Sequence, residues 1–356
     1  MDMKKRKLPV RSIIFRTINI TLVSGLGIFL VYYLLSRINI SDLKSAILGV
    51  YIPSLVVGLI LMFSIDFFKA LRQNLLLGED RVRYGDMFLI SLIRNAFNMV
   101  LPARTGELSY VYVLKRKFKV PVDKGVSTLA IGLIFDLIII FSMIIISIII
   151  VGINRYEISS KNVILIAIGL LAATVVLLFF LSKIVRGFIK LFEFLLKKFE
   201  NLKNKKVFIY VYEKLIEINK NIIIIQKRKI YWKVYLLSVI TRILKFTSYY
   251  FLIHATLYPM GYTFADLSFW VIFLATVAAE LSAVLPTHAI AGFGTYEGAF
   301  ALTFIALGFS ENISIIVGFN YHIINLVETL ILGIIAMTLI SLPFYRIRLK
   351  KTQILK

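Results

Sequence analysis

Residues Val100 to Glu107 read VLPARTGE. A proline, an arginine and a glutamate interrupt an apolar stretch there, at a depth where a membrane helix should still lie in lipid. A charged side chain near the bilayer centre costs about 2.5–3.5 kcal/mol on insertion scales, so the interruption needs a structural or ligand-binding reason. The flanks decide how the region lies. Lys69, Arg72, Arg81 and Arg83 precede the interrupted region 85–120, and Lys115, Arg116, Lys117, Lys119 and Lys124 close it. Basic residues on both sides assign both flanks to the cytoplasm. The chain then enters and leaves on one side. A helix from Gly85 to Leu101 covers about 25 Å, a break falls at Pro102, and the apolar return from Gly106 to Leu114 covers only about 14 Å. The expectation is a re-entrant hairpin.

A second interruption, VLPTHAIAGFGTYEG at 284–298, lies inside the apolar region 267–309. Its flanks, 254–266 and 308–312, contain no lysine or arginine, and so read as external. The two stations form an internal repeat. Each has a Val-Leu-Pro after an apolar helix that starts at an aspartate (Asp86, Asp266), and each leads to glycine and glutamate: Gly106 and Glu107, then Gly294 and Glu297. The copies would have opposite orientations. Inverted repeats with broken helices are a recurring transporter plan, because a break frees backbone N–H and C=O groups to meet a ligand inside the membrane.

Outward from the two stations, six apolar stretches are long enough to cross: 13–35, 51–70, 123–152, 162–182, 231–255 and 313–340. The opening MDMKKRKLPVR and the run Thr17–Leu35 have no small-residue cleavage site after them, so they read as an uncleaved first helix. Region 183–229 is rich in lysine, and its FIKLFEFLLKKF alternates apolar and basic residues near helical period. That pattern suits a basic cytoplasmic connector on an anionic membrane surface. With RIRLKK near the end also basic, both termini belong in the cytoplasm. The expected fold is an all-α polytopic protein of the cell membrane, a single integral domain over 1–356, with about six full spans and two oppositely oriented re-entrant hairpins.

Composition agrees. The 356 residues are 59% hydrophobic with a formal charge of +23. The charge lies in loops beside apolar segments rather than on a soluble basic face, which points to anionic membrane lipids as partners and away from nucleic acid. There is no cysteine, and the three histidines, His254, His288 and His322, lack metal-ligand spacing, so no metal or other cofactor is expected. A homo-oligomer stays open.

The charges inside the apolar regions are the site candidates. Arg104, Gly106 and Glu107 at the first station and Gly292, Gly294 and Glu297 at the second are the substrate-binding set. Arg94, Asp136, Arg242, Lys245, Glu280, His322 and Glu328 are secondary candidates. Each has a structural alternative. Arg104 and Glu107 can pair on one helical turn, Glu297 can stabilise the start of a helix, and Asp136 can bond a neighbouring helix. Arg242 and Lys245, one turn apart, need either a phosphate path or carboxylate partners such as Asp66, Asp136 or Glu328. GFGTYEG is no dinucleotide fingerprint, since no strand precedes it.

The stations LPARTGELSYVYVLKR and LPTHAIAGFGTYEGAF resemble the paired signatures of the lysylphosphatidylglycerol synthase transmembrane-region family, flippase-like integral membrane proteins. The resemblance covers nearly the whole chain. The family's first station, approximately L-P-x-R-x-G-E, is matched by Leu101, Pro102, Arg104, Gly106 and Glu107; its second by Leu285, Pro286, Gly292, Gly294 and Glu297. The chain departs from the family at Gly132-Leu133, where Glu-Arg is common, and at Tyr296 and His322, where arginine is frequent. The resemblance implies handling of lipids with charged headgroups, and without an attached catalytic domain it does not imply aminoacyl transfer.

Three functions compete. The first is translocation of a lipid or lipid-linked saccharide with a charged headgroup, through a polar site enclosed by the two hairpins. The second is a membrane transferase, or its non-catalytic partner, in envelope lipid or glycan synthesis. The third is a small-solute carrier. No DxD, HxxxH or HExxH arrangement is present and the deep carboxylates lie beside breaks, so no catalytic residue is expected and translocation leads.

Overall fold

A computed structural model describes residues 28–101, 105–156, 169, 180, 182–198, 206–227, 230–282 and 290–342. Among them there is no strand, and the protein is an all-α, multi-pass membrane protein. In chain order the helices are α1 (Ile40–Leu48), α2 (Ile52–Leu77), α3 (Tyr84–Val100), α4 (Glu107–Phe118), α5 (Val122–Tyr156), α6 (Lys206–Lys227), α7 (Tyr231–Leu257), α8 (Phe269–Ser282), α9 (Thr295–Ala306) and α10 (Glu311–Ser341).

Helices α2, α5, α7 and α10 are long and apolar enough to cross a membrane. α5 is the clearest case, since isoleucine, leucine and phenylalanine surround it on all sides and Leu137, Phe141 and Ile148 stay exposed, as a lipid-facing surface requires. These four helices contain the expected spans at 123–152, 231–255 and 313–340 and all but the first residue of 51–70; the spans at 13–35 and 162–182 fall largely outside the described residues. α2 runs seven residues past position 70, because Leu71 and Leu75–Leu77 continue its apolar face, and so it carries Arg72 and Gln73 within the helix.

The two interrupted regions each give a pair of short helices, 17 and 12 residues in α3 and α4, 14 and 12 in α8 and α9. All four fall below the roughly 20 residues that a perpendicular crossing takes. α3 meets α4 through Met87, Ile90 and Ile93 against Tyr110, Val111 and Leu114. Gly106 sets how closely the chain turns back. A Cβ there would lie 2.6 Å from Asn98 Cα and nearer still to the Phe97 carbonyl carbon, so only glycine fits without moving α3. α8 and α9 also pack on each other, and between them Ala291, Gly292 and Gly294 take positive φ of 55°, 78° and 87°. A left-handed bend of this kind is what glycine permits. Segment 102–104 at the first turn and 283–289 at the second lie outside the described residues.

Within 183–229, residues 182–198 and α6 are helical, and they set Val185, Ile189 and Ile222 against Ile131 and Phe135 of α5. Lys214 ties α6 to the first turn of α5, with Asp123 at 2.6 Å and Glu217 at 2.7 Å. Burial works against the Lys214 ammonium, but the two carboxylates outweigh it and hold its proton above the ordinary lysine range. The other side of this layer leaves Phe188, Leu191 and Phe194 exposed.

The chain divides into two compact units. One comprises 1–56, 95–106 and 249–331; the other comprises 57–94, 107–248 and 332–356. They are called the terminal-hairpin unit and the arginine unit below. Each holds a buried polar centre of its own.

Candidate functional site

In the arginine unit the centre is built on Asp136, in the middle of α5. Arg72 of α2 binds it with two nitrogens, at 2.5 and 3.2 Å, and also donates to the Ser238 hydroxyl at 2.8 Å. Arg242 of α7 reaches Oδ2, the oxygen that Arg72 Nη2 also approaches, at 2.8 Å. One carboxylate thus bridges two guanidiniums that are always charged, and the three residues are at most 9% exposed. Gly132, one turn before Asp136, makes room: a Cβ there would come within 3.2 Å of both Arg72 Nη2 and Gln73 Nε2.

Around this pair of arginines lie further charges of the same unit. Lys69 sits 3.8 Å from Asp66, whose Oδ1 accepts from Ser91 at 3.2 Å, and Lys69 also feels the charges of Arg94, Arg242 and Asp136. Arg94 of α3 is buried, with its Nε 3.8 Å from Glu107 Oε2 and its guanidinium over the Tyr110 ring at 5.8 Å. Tyr110 in turn shares a hydrogen bond with Thr128 at 3.2 Å. Glu107 opens α4, where its charge suits the free N–H groups of a helix start. Among the described residues, the cations Lys69, Arg72, Arg94 and Arg242 thus meet the carboxylates Asp66, Glu107 and Asp136.

The terminal-hairpin unit has different chemistry. Glu297 is fully buried in the first turn of α9; one oxygen accepts the Gly294 N–H at 2.7 Å, and the other lies 2.5 Å from His322 Nδ1. The His322 ring stacks on Tyr296 at 4.5 Å and meets Phe293 at 4.9 Å. Beside it the hydroxyls of Tyr296 and Tyr321 are 2.8 Å apart, and Tyr249 hydrogen-bonds both Tyr321 and Glu280.

Of the sequence candidates, Arg104 lies outside the described residues. Glu107 has Arg94 across the hairpin within ion-pair distance. Gly292 and Gly294 shape the second bend, and Arg242 has Asp136 from among its three proposed carboxylates. Lys245 lies one turn further along α7, half-buried; Glu328 is also half-buried and accepts from Thr329 at 3.3 Å. The sequence reading missed Arg72, which it took only as part of a basic flank, as well as Gln73, Ser238 and the three tyrosines. One signal was available for Arg72: the leucines on both sides of it extend the helix pattern well past position 70.

Long apolar helices, two broken pairs of short ones and ion pairs within them define a multi-pass α-helical membrane protein with buried charged centres. The chain belongs to the lysylphosphatidylglycerol synthase transmembrane-region family, whose profile, described as "Lysylphosphatidylglycerol synthase TM region", matches residues 18–333. It is accordingly a membrane protein of a family associated with lipid synthesis or flipping. No curated protein matches the chain.

Proposed function

We propose that the protein takes the charged headgroup of a lipid or lipid-linked saccharide into the membrane and passes it between leaflets, as a flippase-like carrier of the cell membrane. The observation that supports this reading is that two buried guanidiniums, Arg72 and Arg242, share the one carboxylate of Asp136, with Lys69 and Arg94 in the same unit. Guanidiniums bind phosphate oxygens well, so such a cluster suits a phosphate-bearing headgroup better than a neutral solute. Arg94, Glu107, Arg242 and Lys245 of the arginine unit would contact the headgroup. Anionic lipids of the cytoplasmic leaflet would be both surroundings and substrate source, with Phe188, Leu191 and Phe194 resting on that leaflet.

The test is lipid retention. Native mass spectrometry of the purified chain, mixed with phosphatidylglycerol and phosphatidylcholine, should find phosphatidylglycerol retained and displaced by excess of the same lipid. Equal retention of both lipids sinks the anionic-headgroup reading.

Both short-helix pairs would be re-entrant, and both termini cytoplasmic. The chain has no cysteine, so single cysteines report cleanly. Lys190→Cys should label only from the cytoplasmic side and Ala265→Cys only from outside; the reverse pattern overturns the topology.

A further inference from the structure

The array in the terminal-hairpin unit differs from the arginine centre in one chemical respect: its members exchange protons. Segment 249–331 contains five acidic residues and three histidines but no lysine or arginine. Its buried carboxylates therefore draw on imidazole, phenol and backbone N–H. Glu297 shows the outcome most completely. Both oxygens are engaged, one by Gly294 N–H and one by His322 Nδ1, and neither residue is more than 1% exposed.

Such a pair has two states that differ by one proton. With the proton bound, an imidazolium faces a carboxylate and the pair is neutral overall. Without it, a neutral imidazole faces a carboxylate, and one negative charge is left buried against the amino end of α9. The groups packed around the pair are Tyr296 from α9, Tyr321 from α10, Tyr249 from α7 and Glu280 from α8, with Phe293 across the ring; His288 lies outside the described residues. The three hydroxyls run from beside His322 to Glu280, a second buried acid able to hold a proton. Gly318 of α10 keeps this packing close: a Cβ there would be 3.5 Å from the Glu297 carbonyl oxygen and 3.2 Å from the Phe300 ring.

We propose that the Glu297–His322 pair is a proton-binding site, and that the proton it exchanges is the ion coupled to headgroup movement. The second clause rests on the carrier reading above; the first stands without it. The proton leaves His322 as imidazolium becomes imidazole, and Glu280 with the tyrosine hydroxyls offers it a place short of bulk water. No further reactant enters the balance.

Two measurements test this on the full-length chain. First, nitrogen-15 histidine labelling in nanodiscs, with His322→Gln to assign its signal among three histidines, should show the His322 ring changing protonation between pH 5 and 9. A ring that holds one state across that range overturns the proposal without touching the carrier reading. Second, vesicles of phosphatidylethanolamine and phosphatidylglycerol carrying a fluorescent phosphatidylglycerol should develop a leaflet ratio that follows an imposed pH gradient. One proton per lipid gives about tenfold per pH unit, and His322→Gln should abolish the dependence. Lipid that moves with a ratio indifferent to the gradient overturns the coupling and upholds the carrier; lipid that does not move at all overturns both.

Discussion

The arginine unit and the terminal-hairpin unit solve the same problem, polar groups inside an apolar fold, with opposite materials. The first fixes charge permanently, since guanidiniums do not deprotonate in proteins, and gathers Arg72 and Arg242 on one carboxylate. The second uses no lysine or arginine from 249–331 and gathers glutamate, histidine and tyrosine, each of which can gain or lose a proton. A permanent positive centre suits an anion that must be held; an exchangeable one suits an ion that must come and go. Tyr296 and His322 fall in the exchangeable half, as a ring stack and an acid–imidazole pair.

The strongest way to break this contrast is Asp136→Leu. It strands two buried guanidiniums, so the chain should lose about 3–5 kcal/mol of stability, seen as a large fall in melting temperature in detergent. Replacing Arg72 and Arg242 by methionine in the same variant should restore most of the stability, because a packed apolar core of similar volume often matches a buried ionic one. If Asp136→Leu melts like the parent, the arginines have some other counter-charge, and the centre is not what holds these helices.

A cycle on Arg94 and Glu107 sharpens the functional side. Their 3.8 Å separation is too long for a tight pair, so Arg94→Gln and Glu107→Gln should couple by only about 0.5–1 kcal/mol in stability while each lowers phosphatidylglycerol retention. Strong coupling in melting temperature with retention intact would make the pair architecture. The smallest effect belongs to the other unit. Tyr296→Phe removes one hydroxyl from the chain with Tyr321 and should cost about 1 kcal/mol, with lipid retention unchanged. A loss of retention there would erase the division of labour between the units.

How far the sequence could be read differs between these parts. The long helices, the positions of the two breaks and the glycines at them were legible because each depends on neighbours in sequence: apolar residues in unbroken runs, then proline and glycine. The short helices begin and end within a few residues of expectation, as at Tyr84–Val100 against the expected 85–101. Partner choice was not legible. Arg94, across the hairpin, is a cation at ion-pair distance from Glu107, and no spacing within one helical turn points to it. Arg72 reads in the sequence only as part of a basic flank, although its helix continues and it pairs with Asp136, 64 residues away.

By itself, then, the sequence determined that this chain is a helical membrane protein with two interrupted apolar regions, because hydrophobic length and helix breaking are local properties, set by the solvent and by backbone sterics. Only the tertiary structure decided which charges meet. An ion pair in a low-dielectric interior depends on distances of a few ångströms between helices far apart in the chain, and no pattern of spacing along one helix contains that information. The same packing sorted the buried groups into a centre of fixed positive charge and an array that can exchange protons.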